Sequence, residues 1–192
     1  MGVPGSPYTR KMLALLRYRR IAYRLIPSSR HTSETASGRF RERPQPHIAL
    51  LPTFYAMDDS EQEVAICDST PLIREFEKAF SDRNVIPDNQ ALAFLDYLLE
   101  DYADEWLTKA MFHYRWSYEP DISKAGQILA RWTNITSSDE DISGKSKYIT
   151  DKQISRLRYV GSNEITCDTI EESFIRFIDL LNKHFCHMPF LL

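Results

Sequence analysis

No stretch of the 192 residues approaches the unbroken apolar run of about 18 needed to cross a bilayer, so the sequence offers no membrane-spanning helix. Nor is there a long apolar segment behind Met1, so a secretory leader is not expected. Cysteine is sparse: Cys67, Cys167 and Cys186 are odd in number and far apart, and no Cys-x-x-Cys occurs. A disulfide framework, a paired-thiolate zinc site and dithiol exchange are therefore excluded, which leaves reduced thiols in a cytoplasmic protein. His31, His47, His184 and His187 lack ligand spacing, and the carboxylates of Glu100, Asp101, Asp104 and Glu105 lack histidines three or four residues away. No metal site is expected. No Ser-His-Asp set and no internal repeat is visible either.

What is present is an ordinary globular composition, 43% hydrophobic and 27% charged, in a chain long enough to bury a sizeable core. The net charge of -3 conceals an asymmetry. Residues 1–50 hold ten Lys or Arg against two acids, and residues 51–192 hold fourteen against twenty-five. A basic face of this kind could draw in anionic ligands. An Arg-rich, acid-poor start also has the composition of an organelle-targeting segment, but the same residues carry a helix and a strand. Nucleic-acid binding is not expected, because no aromatics interleave the basic residues.

The segment Ser6-Pro7-Tyr8-Thr9-Arg10-Lys11 reads as a helix start. Serine caps free backbone N–H groups, and proline at the first helical position has no N–H to lose. Such a terminus carries partial positive charge and unpaired donors, which stabilise an anion such as a thiolate. The helix should span 7–19, with Met12, Leu13 and Leu16 on its apolar stripe and Arg10, Arg17, Arg19 and Arg20 outside it. Ile21 to Ile26 alternates as a half-buried strand, and Pro27 ends it. Residues 28–46 read as a surface loop. Thr53 to Met57 and Val64 to Cys67 read as hairpin strands around a polar turn, and Asp68 or Ser69 caps a helix built on Leu72, Ile73 and Phe76.

Residues 81–88 form a linker, and beyond it strand signals stop. Residues 89–118 lack glycine and proline and read as one long helix, with a solvated Asp101–Glu105–Lys109 ladder. A second helix is expected over 121–134, a Ser- and Asp-rich loop over 136–147, and a short helix over Gln153–Tyr159. After a break at Gly161, a helix over 170–186 would open on a Thr169–Glu172 capping box. Strands followed by helices predict an α/β domain over 1–82 and an all-α domain over 88–192.

Taken in order, Ser6-Pro7-Tyr8-Thr9, Leu51-Pro52 and Asp68-Ser69 resemble the glutathione S-transferase family, in its serine-type form. The stretch from Leu99 to Trp116 resembles one branch of that family too. The resemblance implies a thioredoxin-like N-terminal domain followed by a helical C-terminal domain. It makes glutathione the co-substrate, with a small hydrophobic electrophile bound between the domains and the protein a homodimer. Ser6 becomes the thiolate stabiliser, with simple helix capping as its alternative. Tyr8 is a competing hydroxyl; relatives that use tyrosine place it on the first strand, and the first helix turn is the other home for this ring. Pro52 corresponds to the family's cis proline, which would let the Leu51 backbone pair with the cysteinyl unit of glutathione. Asp68 and Ser69 would hold the γ-glutamyl amine and carboxylate, or cap their helix. Tyr102, Trp106 and His113 would line the electrophile pocket, or serve as core aromatics.

Two departures from the family bear on activity. Only Met1 to Gly5 precede Ser6, too few for the family's first strand and its turn, and the chain stops at Leu192, where relatives continue into a further helix. The chain is therefore expected to be a fragment, and conjugating activity to belong to a full-length form. The alternative is a non-catalytic interaction or ligand-binding protein of the same fold.

Overall fold

The computed structural model describes residues 1–3, 5–26, 43–48, 50–132 and 137–192. The chain divides into two compact units, one made of residues 1–85 with 128–138, the other of 86–127 with 139–192. Most of the loop expected over 28–46 lies outside the described residues, as do 133 and 134 of the helix expected over 121–134.

In the first unit, helix α1 (Pro7–Tyr18) begins as Ser-Pro dictates: Ser6 is extended, and its Oγ accepts the Thr9 N–H at 3.2 Å. Met12 and Leu15 pack on Leu72 of helix α2 (Ser69–Ala79), with Phe54, Ile73, Phe76 and Val85 around them. Each fully buried side chain of this kind contributes about 1.5–3 kcal/mol. Strands β1 (Phe54–Met57) and β2 (Glu63–Ile66) form the expected antiparallel hairpin, with Phe54 opposite Ile66. Asp58 builds the turn, its Oδ1 accepting the N–H groups of Ser60 and Gln62, both at 2.9 Å.

Two expectations fail in this unit. Arg19, assigned to the solvent side of α1, is buried at 3% exposure. Its guanidinium donates to Glu77 Oε1 at 2.5 Å, the Phe80 carbonyl at 2.6 Å, the Asp82 carbonyl at 3.2 and 3.3 Å, and Asn84 Oδ1 at 3.0 Å. The chain leaving α2 thus gathers acceptors that only a long, forked donor can satisfy together. Residues 21–26, expected as a strand, form no ladder among the described residues. Their strand-like contact among those residues is the Gly2 N–H donated to the Ile26 carbonyl at 3.0 Å. On the other flank Met1 and Thr53 exchange both bonds, the Met1 ammonium donating to the Thr53 carbonyl at 2.6 Å and the Thr53 N–H to the Met1 carbonyl at 2.9 Å.

That position has a pH consequence. Burial, and then the charge of Arg43, push the Met1 amino group down to about 6. Its folded value lies below the ordinary value of about 8, so between the two the unfolded chain binds more protons. Stability should rise as pH increases from 6 to 8 and level off beyond. Because the group keeps some contact with solvent, the gain should be ~1–2 kcal/mol rather than the full linkage value. Urea unfolding at pH 6 and pH 8 checks this, and a midpoint that falls across the window contradicts it.

In the second unit, α3 (Gln90–Asp101) starts on Asn89, whose Oδ1 accepts the N–H groups of Ala91 and Leu92 at 3.0 and 3.2 Å. The predicted single helix over 89–118 is instead three pieces: α3, a π-helical turn (Tyr102–Leu107) and α4 (Thr108–Ser117). Helix α5 (Glu119–Ala130) follows. The loop expected over 136–147 is also a misreading, since α6 runs from Asp139 to Ile154. Asp139, Glu140 and Asp141 in its first turn favour the positive helix end. Its small polar side chains serve packing, because a Cβ on buried Gly126 of α5 would lie 2.5 Å from Thr150 Oγ1 and 2.8 Å from Ser146 Oγ. Ser and Thr here accommodate a close helix approach rather than marking a loop.

A 3₁₀ turn (Leu157–Val160) replaces the expected 153–159 helix and closes on Gly161 at φ 71°, a left-handed conformation suited to glycine. Helix α7 covers Cys167–Phe185, three residues ahead of the predicted start. The Thr169–Glu172 box lies inside it; Asn163 Oδ1 instead accepts the Ile165 and Thr166 N–H groups at 2.9 and 3.2 Å. The order is the expected one, a small α/β unit and then helices. Among the described residues, no helix is long and apolar enough to cross a membrane, and no His, Cys, Asp and Glu group is placed to hold a metal ion.

Candidate functional site

A side chain of α1 reaches the start of α2. Lys11, in the second turn of α1, donates from Nζ to Ser69 Oγ at 3.1 Å. Ser69 is buried at the first position of α2. Asp68 caps that helix at φ 77°, its Oδ1 accepting the Thr70 N–H at 3.3 Å. Lys11 thereby brings an ammonium to the positive end of α2, which favours anionic groups there.

Ser6 sits at the α1 end, buried at 6% exposure, its N–H donated to the Val3 carbonyl at 3.1 Å. Its Oγ accepts from Thr9, and a hydroxyl that accepts one bond keeps its proton for another partner. Thr9 is itself buried and accepts the Val3 N–H at 3.4 Å, which ties the approach segment to the helix. Tyr8 lies half-buried in the first turn of α1, and Arg10 is exposed.

The Leu51–Pro52 peptide is cis. Pro52 is buried and Leu51 half-buried, and neither backbone group of Leu51 has a hydrogen-bond partner among the described residues. The next residue, Thr53, is held by Met1.

The three residues expected at an electrophile pocket have different neighbours. The Tyr102 ring meets Phe177 at a centroid distance of 5.7 Å, while Trp106 is 60% exposed beneath the Lys109 ammonium, 4.1 Å from its ring centre. His113 is 2% exposed within a polar cluster of the second unit. Its Nδ1 lies 2.7 Å from Ser162 Oγ and 3.2 Å from Ser117 Oγ, and its Nε2 lies 3.1 Å from Glu171 Oε1. A carboxylate only accepts, so Nε2 carries the proton and Nδ1 takes one from a serine. Tyr118 donates to the same Glu171 oxygen. That bond, followed by burial and the Glu171 charge, pushes the phenol up to about 12, and the Tyr118 and His113 bonds hold the Glu171 carboxyl below its usual range.

Residues 1–84 match the family model described as the N-terminal domain of glutathione S-transferase. No curated protein and no solved structure matches the chain. The matched stretch includes Ser6, Leu51-Pro52 and Asp68-Ser69. Its fold is thioredoxin-like, and the helices of the second unit follow it in sequence.

Sequence reasoning missed two members of this neighbourhood. Lys11 was read only as part of the helix start, and its target lies 58 residues away. Trp132 folds onto Gly5 within the first unit, where a Cβ would come within 2.7 Å of its ring. Its indole N–H is buried and lacks a partner among the described residues. The one signal was Gly5 itself, a position that leaves no room for a side chain.

Proposed function

We propose that the first unit binds glutathione and presents its sulfur as a thiolate at the start of α1. The observation that carries this reading is the Lys11–Ser69 bond, which brings a cation of α1 to the donor-rich start of α2 within the stretch that matches the glutathione S-transferase N-terminal domain. A free thiol has a pKa near 8.5 and is mostly protonated at neutral pH. The Ser6 hydroxyl would donate to the sulfur, and the α1 N–H groups add positive potential. The Leu51 backbone, free of partners among the described residues, would pair with the cysteinyl unit as an added strand. Asp68 would take the γ-glutamyl amine, and Ser69, beside Lys11, the carboxylate.

The chemistry is conjugation to small apolar electrophiles. The sulfur lone pair forms a carbon–sulfur bond while the leaving group departs with its electrons, or adds across an activated double bond. Serine is not the nucleophile, because no base is partnered with it. Three unpaired cysteines support a reducing, cytoplasmic setting, and the apolar side chains that α3 exposes, among them Leu92, Phe94 and Leu95, support a homodimer.

The deep burial of Ser6 and its capping bond favour a second reading, a non-catalytic binding protein. One series of measurements separates the two. Calorimetry should detect glutathione uptake, and turnover of a chloro-nitroaromatic should fall ~10–100-fold in Ser6→Gly with little change in binding. Glycine keeps most of the capping, so stability should drop by only a few tenths of a kcal/mol. Tyr8→Phe should retain activity. Uptake without turnover supports the second reading, and absence of uptake by the folded chain removes the first.

A further inference from the structure

Half of the second unit's bases are gathered in one short segment. Residues 145–158 hold five Lys or Arg and one acid, whereas the rest of that unit holds five bases against sixteen acids. The one acid, Asp151, is taken by Lys147 at 3.6 Å. Lys152, Arg156 and Arg158 are exposed and bond to no carboxylate among the described residues.

Helical winding sets these cations beside aromatic rings. Tyr148, Lys152 and Arg156 recur every fourth residue through the end of α6 and the turn after it, so they share one side. The Lys152 ammonium lies 5.6 Å from the centre of the Tyr148 ring. In the 3₁₀ turn that follows, the Arg158 guanidinium lies 4.9 Å from the centre of the Tyr159 ring. Both rings are open to solvent, Tyr148 at 64% and Tyr159 at 71% exposure. The next turn carries Ile165, at 91% the most exposed large apolar side chain among the described residues. That turn is pinned: Thr166 Oγ1 donates to the Gly161 carbonyl at 2.6 Å and accepts the Asn163 N–H at 3.1 Å. The exposure of Ile165 is therefore built into a tied turn.

A stripe of unneutralised cations suits an anionic partner. The side chains among them narrow the choice. A polynucleotide answers the bases and can stack on the rings, but it offers nothing to an aliphatic tip. An anionic bilayer surface answers all three, with headgroups for the cations, the interfacial zone for the tyrosines and the edge of the hydrocarbon for Ile165. The same surface repels the acid-rich remainder of the unit, which leaves this stripe as the side that can approach.

We propose that the stripe from Tyr148 to Arg158, with Tyr159 and Ile165, docks this protein peripherally on an anionic bilayer surface. The docking does not rest on the glutathione reading. Each base held near the surface contributes about fivefold to the affinity, and the binding weakens as salt rises.

The test is co-sedimentation of the full chain with vesicles of equal parts phosphatidylserine and phosphatidylcholine. The chain should bind them saturably, and vesicles of phosphatidylcholine alone at least tenfold more weakly. The combined variant Lys152→Gln, Arg156→Gln, Arg158→Gln should lose about a hundredfold in affinity. Ile165→Ser should lose about tenfold, a loss of apolar contact that salt does not mimic. The urea midpoint of each variant reports that it is folded. Equal binding to both vesicles, undiminished binding by the folded triple variant, or no binding by the folded chain overturns the proposal. So does a single-stranded oligonucleotide that displaces the vesicles while Ile165→Ser binds as the parent chain does, which assigns the stripe to nucleic acid.

Discussion

Replacing Arg19 with alanine is expected to lower the stability of the first unit by ~3–5 kcal/mol, read as a shift of the urea midpoint at unchanged slope. The side chain is buried, and it serves the Glu77 carboxylate, the Phe80 and Asp82 carbonyls and the Asn84 amide oxygen together. Removing one partner of a buried ion pair leaves the other uncompensated, and the carbonyls lose their donor as well. Two companion variants sharpen the result. Arg19→Lys should recover less than half of the loss, because one ammonium cannot match the fork. Arg19→Ala with Glu77→Leu should remain destabilised, since the backbone acceptors persist. A midpoint shift worth less than 1 kcal/mol in Arg19→Ala contradicts this account.

The second large effect belongs to His113. His113→Ala should cost about 2–4 kcal/mol, combining an incompletely collapsed cavity with a Ser162 hydroxyl left buried without its partner. Ser162 is 7% exposed, so water cannot readily replace the imidazole. Glu171, at the rim of the same network, is more accessible, and its variant probes charge rather than packing. Glu171→Gln should return the Tyr118 phenol from about 12 toward its ordinary value near 10, measured by ultraviolet difference titration. A Tyr118 titration unmoved by Glu171→Gln would show that the bond between them does not form in solution.

Local chemistry made part of this molecule readable from its residues. Ser6-Pro7 marks the start of α1, Asp58 turns the hairpin, Asp68-Ser69 opens α2 and Gly161 stops a helical turn; each depends on groups within a few residues. The misreadings depend on partners far away in sequence. Arg19 looks solvated until the chain after α2, some sixty residues on, surrounds it with oxygens. Ser146 resembles a loop residue until Gly126 supplies the surface against which only small side chains fit. His113 showed no partner by spacing because Ser162 and Glu171 lie 49 and 58 residues beyond it. Residues 21–26 alternate correctly for a strand, yet alternation describes faces and says nothing of whether an edge finds a neighbour. The candidate glutathione site was legible because its pieces are helix caps and a proline. Lys11 and Trp132 escaped notice because tertiary contacts alone bring them there.

The π-helical turn at Tyr102–Leu107 reaches beyond its six residues. Such a turn bonds each N–H to the fifth carbonyl back and holds one residue more than regular winding allows. Every side chain after it is out of phase with those before, so the Asp101–Glu105–Lys109 spacing no longer defines a straight row. Lys109 lies over the indole of Trp106 instead. A frame that looks seamless in the letters therefore contains a splice, and α3 and α4 present faces that no single helical wheel can describe.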